Sequence, residues 1–102
     1  MVNQLRDKDY LLWIRTQPCL LCRPGEQETH TEAAHVGSRG LGQKCSDHET
    51  IALCGFEHHR EGPKSAHKLG RRFWNVHMID RDKEISKLRA KYAIEMGIGR
   101  DL

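Results

Sequence analysis

Four residues with metal-binding side chains constrain this chain most: the pair Cys19 and Cys22 and, about thirty residues later, Cys54 and His58. Two cysteines separated by two residues are typical of a tetrahedral zinc site. If Cys54 opens an α-helix, His58 lies one turn later on the same face. The spacing therefore predicts a closed structural zinc site with three cysteine ligands and one histidine ligand.

The remaining cysteine, Cys45, offers a rival ligand set in which it replaces His58 and four cysteines hold the zinc. Cys45 follows a glycine-rich loop, residues 37–44, rather than a turn, and no second cysteine stands close to it in the sequence. This geometry favours the set with His58, but the sequence leaves both sets open.

The composition agrees with a domain that a metal stabilises. Hydrophobic residues make up 37% of the 102 residues and charged residues 30%, so the predicted core is small. The formal net charge of +3 is mildly basic, which suits a nucleic-acid partner without identifying one. The polar start of the chain and the lack of a long apolar run favour a cytoplasmic protein with reduced cysteines and no membrane segment.

Helices are predicted at both ends of the chain. Asp7 can cap a first helix at about residues 7–16, which Pro18 ends. Asp80 can cap a last helix at about residues 81–96. The apolar residues of that helix recur at helical spacing and form one stripe: Ile85, Leu88, Tyr92 and Met96.

Two short strands are predicted between these helices, at residues 29–36 and 50–53, followed by a helix from Cys54 to about Glu61. In the first strand, alternation places Glu32 and Ala34 on one face and His35 on the other. Phe73 and Trp74 are predicted to belong to the core. The result is one α+β domain, residues 1–102, with a zinc knuckle and a ββα unit at about residues 18–62.

The chain resembles the HNH (His-Me finger) nucleases of the zinc-knuckle type found in phages and prophages. The resemblance covers about residues 10–75. It depends on the order and spacing of several pieces: Cys19-Leu20-Leu21-Cys22, Ala34-His35-Val36, Lys44 to Asp47, Leu53-Cys54 and His58-His59, with flanking matches at Tyr10-Leu11-Leu12-Trp13-Ile14-Arg15, His67-Lys68-Leu69-Gly70 and Phe73-Trp74.

The resemblance implies a small ββα-metal fold and a single-metal phosphodiesterase that cleaves or nicks DNA. It implies that His35 is the general base, because an imidazole titrates near neutral pH and can take a proton from water. Asp47 would orient that base. His59, predicted to point about 100° away from His58 on an α-helix, and His67 would bind a catalytic Mg²⁺, Mn²⁺, Ni²⁺ or Zn²⁺.

The sequence departs from the family pattern in two places. Many relatives carry a metal-binding aspartate or histidine immediately before the general base, where this chain has Ala34. An insertion that contains Gly62 and Pro63 also separates His59 from His67. A non-catalytic zinc module that binds nucleic acid or a recombination partner is therefore the alternative, and a purely protein-binding zinc domain is a third interpretation.

DNA is the predicted partner, and phage or host recombination or packaging proteins are further candidates. The residues predicted to contact DNA are exposed basic ones: Arg39, Lys44, Lys64, Arg71 and Arg72. Three histidines, His30, His48 and His77, are interpreted as surface or hydrogen-bonding residues.

Overall fold

The computed structural model of the protein describes residues 6–36 and 46–97. Within these ranges the chain forms four α-helices and one antiparallel pair of strands, which confirms the predicted α+β class. The elements follow one another as α1 (Lys8–Ile14), β1 (Thr31–His35), β2 (Thr50–Cys54), a π-helical turn (Gly55–Arg60), α2 (Ala66–Leu69), a 3₁₀ turn (Gly70–Arg72), α3 (Phe73–His77) and α4 (Arg81–Glu95).

Helix α1 begins where the sequence predicts a cap. The Asp7 carboxylate accepts a hydrogen bond from the backbone N–H of Tyr10, which satisfies one of the free donors of the first turn. Tyr10, Trp13 and Ile14 lie three and four residues apart and are buried, so the helix packs one apolar face inward. The helix ends at Ile14, shortly before Pro18.

The two strands pair in one register, with Ala33 opposite Ala52 and His35 opposite Thr50. Every residue of β2 is buried, whereas β1 ends on an exposed His35. Because both faces of β2 are covered, its sequence is an apolar run rather than an alternating one.

The core consists of two clusters, which lie on opposite faces of the strand pair except that Cys54, at the end of β2, joins the cluster of Ile51 and Leu53. Ala33 and Ala52 meet Tyr10, Trp13 and Ile14 of α1, and their small side chains leave room for these large ones. The other cluster contains Cys19, Ala34, Ile51, Leu53, Cys54 and Phe73. Phe73 is buried and Trp74 packs partly against this cluster, which confirms their predicted place in the core.

Helix α4 runs along both clusters. Leu88 contacts both, Ile85 packs against the Phe73 cluster and Tyr92 against the α1 cluster. The rings of Tyr92 and Trp13 meet edge to face at 5.1 Å. Met96 does not continue the stripe, because the helix ends at Glu95 and Met96 is half exposed. No helix of the described residues is both long and apolar enough to span a membrane.

The segment after β2 corrects one prediction. A helical segment follows Cys54, but it is not an α-helix: Cys54 is the last residue of β2 and the N-cap of a single π-helical turn, Gly55–Arg60. The backbone N–H groups of Glu61 and Gly62 both donate to the carbonyl oxygen of Phe56, five and six residues earlier. The turn is therefore wider than an α-helical turn, and the 100° offset expected between His58 and His59 does not apply.

Glycine is needed at position 62, at the end of this wide turn, because the backbone of Glu57 lies very close. An unusual backbone angle is not the reason. A methyl group added at Gly62 would overlap the carbonyl oxygen of Glu57 and lie 2.9 Å from its carbonyl carbon. The crowding atoms belong to the backbone and cannot rotate away. The sequence at this position is thus limited to glycine as long as the turn keeps its width.

We expect Gly62→Ala to destabilise the protein by about 1–3 kcal/mol, the usual cost of forcing extra atoms into a packed site. Thermal unfolding of the zinc-loaded protein measures the change. Glu61→Ala, at the exposed neighbouring position, is the control and should shift stability by no more than about 0.5 kcal/mol. Equal melting temperatures for Gly62→Ala and wild type would contradict the close packing.

Candidate metal centre and histidine sites

The structure brings the four predicted zinc ligands together. The Nδ1 atom of His58 lies 3.4, 3.5 and 3.3 Å from the sulfurs of Cys19, Cys22 and Cys54. All four ligand atoms lie within 4.8 Å of one another. In the described part of the chain no other group of three or more histidine, cysteine or acidic side chains converges in this way.

These separations fit a tetrahedral zinc ion. With Zn–S bonds of about 2.3 Å and Zn–N bonds of about 2.0–2.1 Å, two ligands of a tetrahedron lie about 3.5 Å apart for nitrogen and sulfur and about 3.8 Å apart for two sulfurs. The sulfur atoms of Cys22 and Cys54 are 3.7 Å apart, far too distant for a disulfide bond. The spacing of the four side chains therefore suits a zinc ion.

The electrostatics of the cluster also favour a cation. Burial, together with the neighbouring sulfurs of Cys19 and Cys54, raises the pKa of the Cys22 thiol to about 12. Burial lowers the pKa of His58, which keeps its imidazole neutral and able to coordinate. A bound divalent cation would offset the repulsion between neighbouring thiolates. A thiol that coordinates such a cation loses its proton.

Hydrogen bonds from backbone N–H groups fix the knuckle, one to the sheet and one to the side chain of Gln27. The N–H of Leu20 donates to the carbonyl oxygen of Ala52 at 2.9 Å, and the N–H of Cys19 donates to the side chain of Gln27 at 2.8 Å. Cys54 ends β2 two residues after Ala52. The same strand therefore positions Cys54 directly and the knuckle of Cys19 and Cys22 through Leu20. This arrangement explains why ligands so distant in sequence converge.

A second site forms where β1 ends. The Nε2 atom of His35 lies 2.8 Å from Oδ1 of Asp47. The side chain of Asp47 is only 6% exposed, whereas that of His35 is 39% exposed. Arg6 also donates to Asp47 at 3.1 Å, and the backbone N–H of Asp7 donates to its other oxygen at 2.7 Å.

These donors determine the ionisation of Asp47 and the proton position on His35. Burial alone would raise the pKa of Asp47, but the hydrogen bonds from His35, Asp7 and Arg6 outweigh it and lower the pKa. An ionised carboxylate only accepts hydrogen bonds, so Nε2 of His35 must carry the proton. In the neutral ring, Nδ1 is then the atom free to accept a proton.

The start of α1 supports this site. Oδ2 of Asp7 accepts a hydrogen bond from Nε2 of His48 at 2.8 Å, while its other oxygen caps the helix. The hydrogen bond from His48 is the main reason that the pKa of Asp7 is lowered. His48 thus has the hydrogen-bonding role predicted for it, and it ties the turn of residues 47–49 to α1.

The third site surrounds His59. Its Nδ1 atom lies 2.7 Å from Oε1 of Glu32, and Arg60 donates to both oxygens of the same carboxylate at 3.0 and 3.1 Å. The ring of His67 stands edge-on to that of His59, with centroids 4.7 Å apart. The insertion with Gly62 and Pro63 therefore does not keep the two histidines apart.

The charges at this site follow from the same contacts. Burial alone would raise the pKa of Glu32, but the hydrogen bonds from His59 and Arg60 lower it. Burial lowers the pKa of His59 in spite of the neighbouring carboxylate. His59 is thus neutral at neutral pH, with its proton on Nδ1 and its Nε2 free to bind a metal ion or a proton.

The other predicted residues divide into two groups. Arg39, Lys44 and the rival ligand Cys45 lie outside the described residues. Lys64, Arg71 and Arg72 are exposed, as residues that contact DNA must be. His30 is exposed, and Nε2 of His77 donates to the carbonyl oxygen of Lys64 at 2.7 Å, which agrees with the roles predicted for these two histidines.

Sequence reasoning missed five residues that support these sites: Arg6, Asp7 as a partner of Asp47, His48 as a partner of Asp7, Glu32 and Arg60. Alternation along β1 placed Glu32 on the face of Ala34, which was the available signal. Its partners could not be identified, because they depend on how the π-helical turn crosses the strand.

The comparisons with known proteins do not identify a family. No family model matches the sequence, no curated protein is significantly similar to it, and no solved structure matches the fold.

We expect a strong chelator to unfold the zinc-loaded protein, because the apparent zinc-binding free energy of such sites, about 10–16 kcal/mol, equals or exceeds the stability of a domain this size. Circular dichroism and a zinc assay measure both effects. Cys22→Ser and His58→Ala should each reduce the zinc bound per chain.

Cys45→Ser is the matched control for these variants and should retain one zinc. The opposite result, zinc lost with Cys45→Ser and kept with His58→Ala, would support the rival ligand set of four cysteines.

Asp47 should make stability depend on pH in the acid range. Its pKa in the folded protein lies below the ordinary value of 3.8, so its contribution is present above that value and is lost as the pH falls through the folded-state pKa. Urea unfolding from pH 6 to pH 3 should show a smaller loss of stability for Asp47→Asn than for wild type. Asp9→Asn, at an exposed position of α1, is the control and should follow wild type.

Proposed function

We propose that the chain is a metal-dependent nuclease of the HNH type, which hydrolyses phosphodiester bonds of DNA with His35 as the general base. The observation that carries the proposal is the hydrogen bond from Nε2 of His35 to the buried Asp47. A base needs one nitrogen held and the other open to solvent, and this pair has that arrangement.

Asp47 has two roles in this proposal. It holds the imidazole in the tautomer whose Nδ1 can take a proton from water, and its negative charge stabilises the imidazolium that results. The water then attacks phosphorus, and the 3′ oxygen leaves. The exposed ring of His35 leaves space for a phosphodiester, while the donors around Asp47 prevent the carboxylate from turning away.

His59 and His67 are the residues that would hold the catalytic cation. Their rings are adjacent. Nε2 of His59 carries no proton and can coordinate, and a neutral His67 ring has one unprotonated nitrogen to offer. A divalent cation bound there would supply positive charge to the phosphate and to the leaving oxygen. With two protein ligands, the cation would also need water or phosphate oxygens.

The faces of β1 are compatible with this division of roles. The resemblance places a metal ligand immediately before the general base, and consecutive strand residues point to opposite faces. Ala34 and Glu32 share a face, and Glu32 contacts His59. His59 contacts Glu32 on the face of residue 34, whereas His35 contacts Asp47. This separation of the two contacts supports the proposed division of roles.

Zinc held by the Cys₃His group would have a structural role in this nuclease. A site with four protein ligands is closed and has no position for substrate. His58 precedes His59 in the π-helical turn, so zinc would fix the segment that carries the candidate catalytic ligand. The mildly basic chain, with Lys64, Arg71 and Arg72 exposed, suits DNA as the partner.

The second candidate function is a non-catalytic zinc module that binds nucleic acid. The observation that favours it is Ala34, which cannot coordinate, together with the convergence of only one ligand group in the described residues. Such a module would keep its zinc and bind DNA in a salt-sensitive manner without cleaving it.

We expect the zinc-loaded protein to convert supercoiled plasmid to nicked or linear DNA with Mg²⁺, Mn²⁺ or Ni²⁺. His35→Ala should reduce the rate by about 100-fold or more, because it removes the general base. Asp47→Asn should reduce it less and leave DNA binding intact. His30→Ala, at an exposed histidine just before β1, is the control and should cleave like wild type.

No cleavage by wild type, with DNA binding that weakens as salt rises, would contradict the nuclease proposal and support the non-catalytic module. Loss of both activities in a folded, zinc-loaded protein would leave the protein-binding interpretation. Equal cleavage by wild type and His35→Ala would contradict the assignment of the base.

A further inference from the structure

Glu32 is an acidic residue to which the family resemblance assigns no role, yet it makes three side-chain hydrogen bonds at the candidate catalytic site. We propose that Glu32 is a positioning residue, which holds the proton of His59 on Nδ1 and thereby makes Nε2 the atom that binds a divalent transition cation. The inference that Nε2 of His59 binds a cation rests on the proposed function. The inference that Glu32 holds the proton of His59 on Nδ1 does not.

The strand geometry explains how Glu32 reaches this place. Glu32 and Ala34 are two residues apart in β1 and therefore share a face. Ala34 is buried in the Phe73 cluster and has no polar atom to offer. The longer side chain of Glu32 spans from the same face to the ring of His59 in the π-helical turn. This face thus keeps a carboxylate, two residues earlier than the family pattern places one.

The contacts of Glu32 favour a role behind a metal-binding histidine over direct coordination. Arg60 donates from Nε to one carboxylate oxygen and from a terminal nitrogen to the other. His59 uses the oxygen that faces it. A two-pronged arginine contact fixes the carboxylate plane. Glu32 therefore acts on a cation through His59, as carboxylates behind metal-binding histidines do.

Gly55 provides the space for this carboxylate. A methyl group at Gly55 would lie 2.7 Å from Oε2 of Glu32 and 3.2 Å from a terminal nitrogen of Arg60. The crowded atoms are the ends of flexible side chains, so the backbone can remain while the carboxylate shifts. Gly55→Ala thus displaces Glu32 without changing its chemistry.

The first measurement follows the proton on His59 by long-range ¹H–¹⁵N correlation NMR of the zinc-loaded protein. Wild type should show the Nδ1–H tautomer of His59. In Glu32→Gln the amide can either accept from Nδ1–H or donate to a bare Nδ1, so both tautomers should appear. Gly55→Ala should shift the tautomer in the same direction. Glu61→Gln, an exposed glutamate beside the same turn, is the charge-matched control and should keep the wild-type tautomer.

The second measurement titrates Mn²⁺ alone into the same samples and follows paramagnetic broadening of the ring signals. The signals of His59 and His67 should broaden first in wild type. The Mn²⁺ concentration for half-broadening should rise about 10- to 100-fold in Glu32→Gln, the usual effect of losing a carboxylate behind a metal-binding histidine. Glu61→Gln should titrate like wild type.

A wild-type tautomer in both Glu32→Gln and Gly55→Ala would overturn the inference, and so would Mn²⁺ broadening that is absent from His59 or unchanged in Glu32→Gln. These results are independent of the cleavage assay. Plasmid cleavage by wild type, together with an unchanged tautomer in Glu32→Gln and Gly55→Ala, would support the nuclease proposal and contradict the role of Glu32. A shifted tautomer and weakened Mn²⁺ binding in Glu32→Gln, without plasmid cleavage by wild type, would support the role of Glu32 and contradict the nuclease proposal.

Discussion

The convergence of three sulfur atoms and one imidazole nitrogen is the constraint on which the rest of the structure depends. Cys19 and Cys22 come from a loop that pairs with the backbone of β2, and Cys54 is the last residue of that strand. His58 then returns from the next turn to within 3.5 Å of all three sulfurs. Because its apolar core is small, a chain with so few large buried side chains would be stabilised by a metal ion bound at this centre.

Much of this arrangement could be predicted from the sequence, because the relevant signals are local. Asp7 and Asp80 cap the helices that they were expected to cap, and strand alternation separates Ala33 from Ala34 correctly. The spacing of Cys54 and His58 predicted their proximity for the wrong reason, since a strand end and a π-helical turn, rather than one α-helical face, bring them together. The width of that turn depends on tertiary contacts, which periodicity does not report.

The partners of the histidines could not be predicted, because each contact joins segments that are distant in sequence. His35 bonds to Asp47 and His59 to Glu32, across 12 and 27 residues. In both pairs an ionised carboxylate holds one ring nitrogen and leaves the other available. The two pairs differ in the atom that is held, Nε2 in His35 and Nδ1 in His59, so the same residue type presents a different free atom at each site.

The π-helical turn also limits how the gene for this protein can change. Such a turn contains one more residue than an α-helical turn closing the same path. Deletion of a single codon between Cys54 and His58 would shorten the turn and change the spacing that brings both His58 to the sulfurs and His59 to Glu32. Base substitutions at exposed positions of this segment leave the spacing intact, whereas insertions and deletions do not. The segment can therefore vary in its side chains while its length stays fixed.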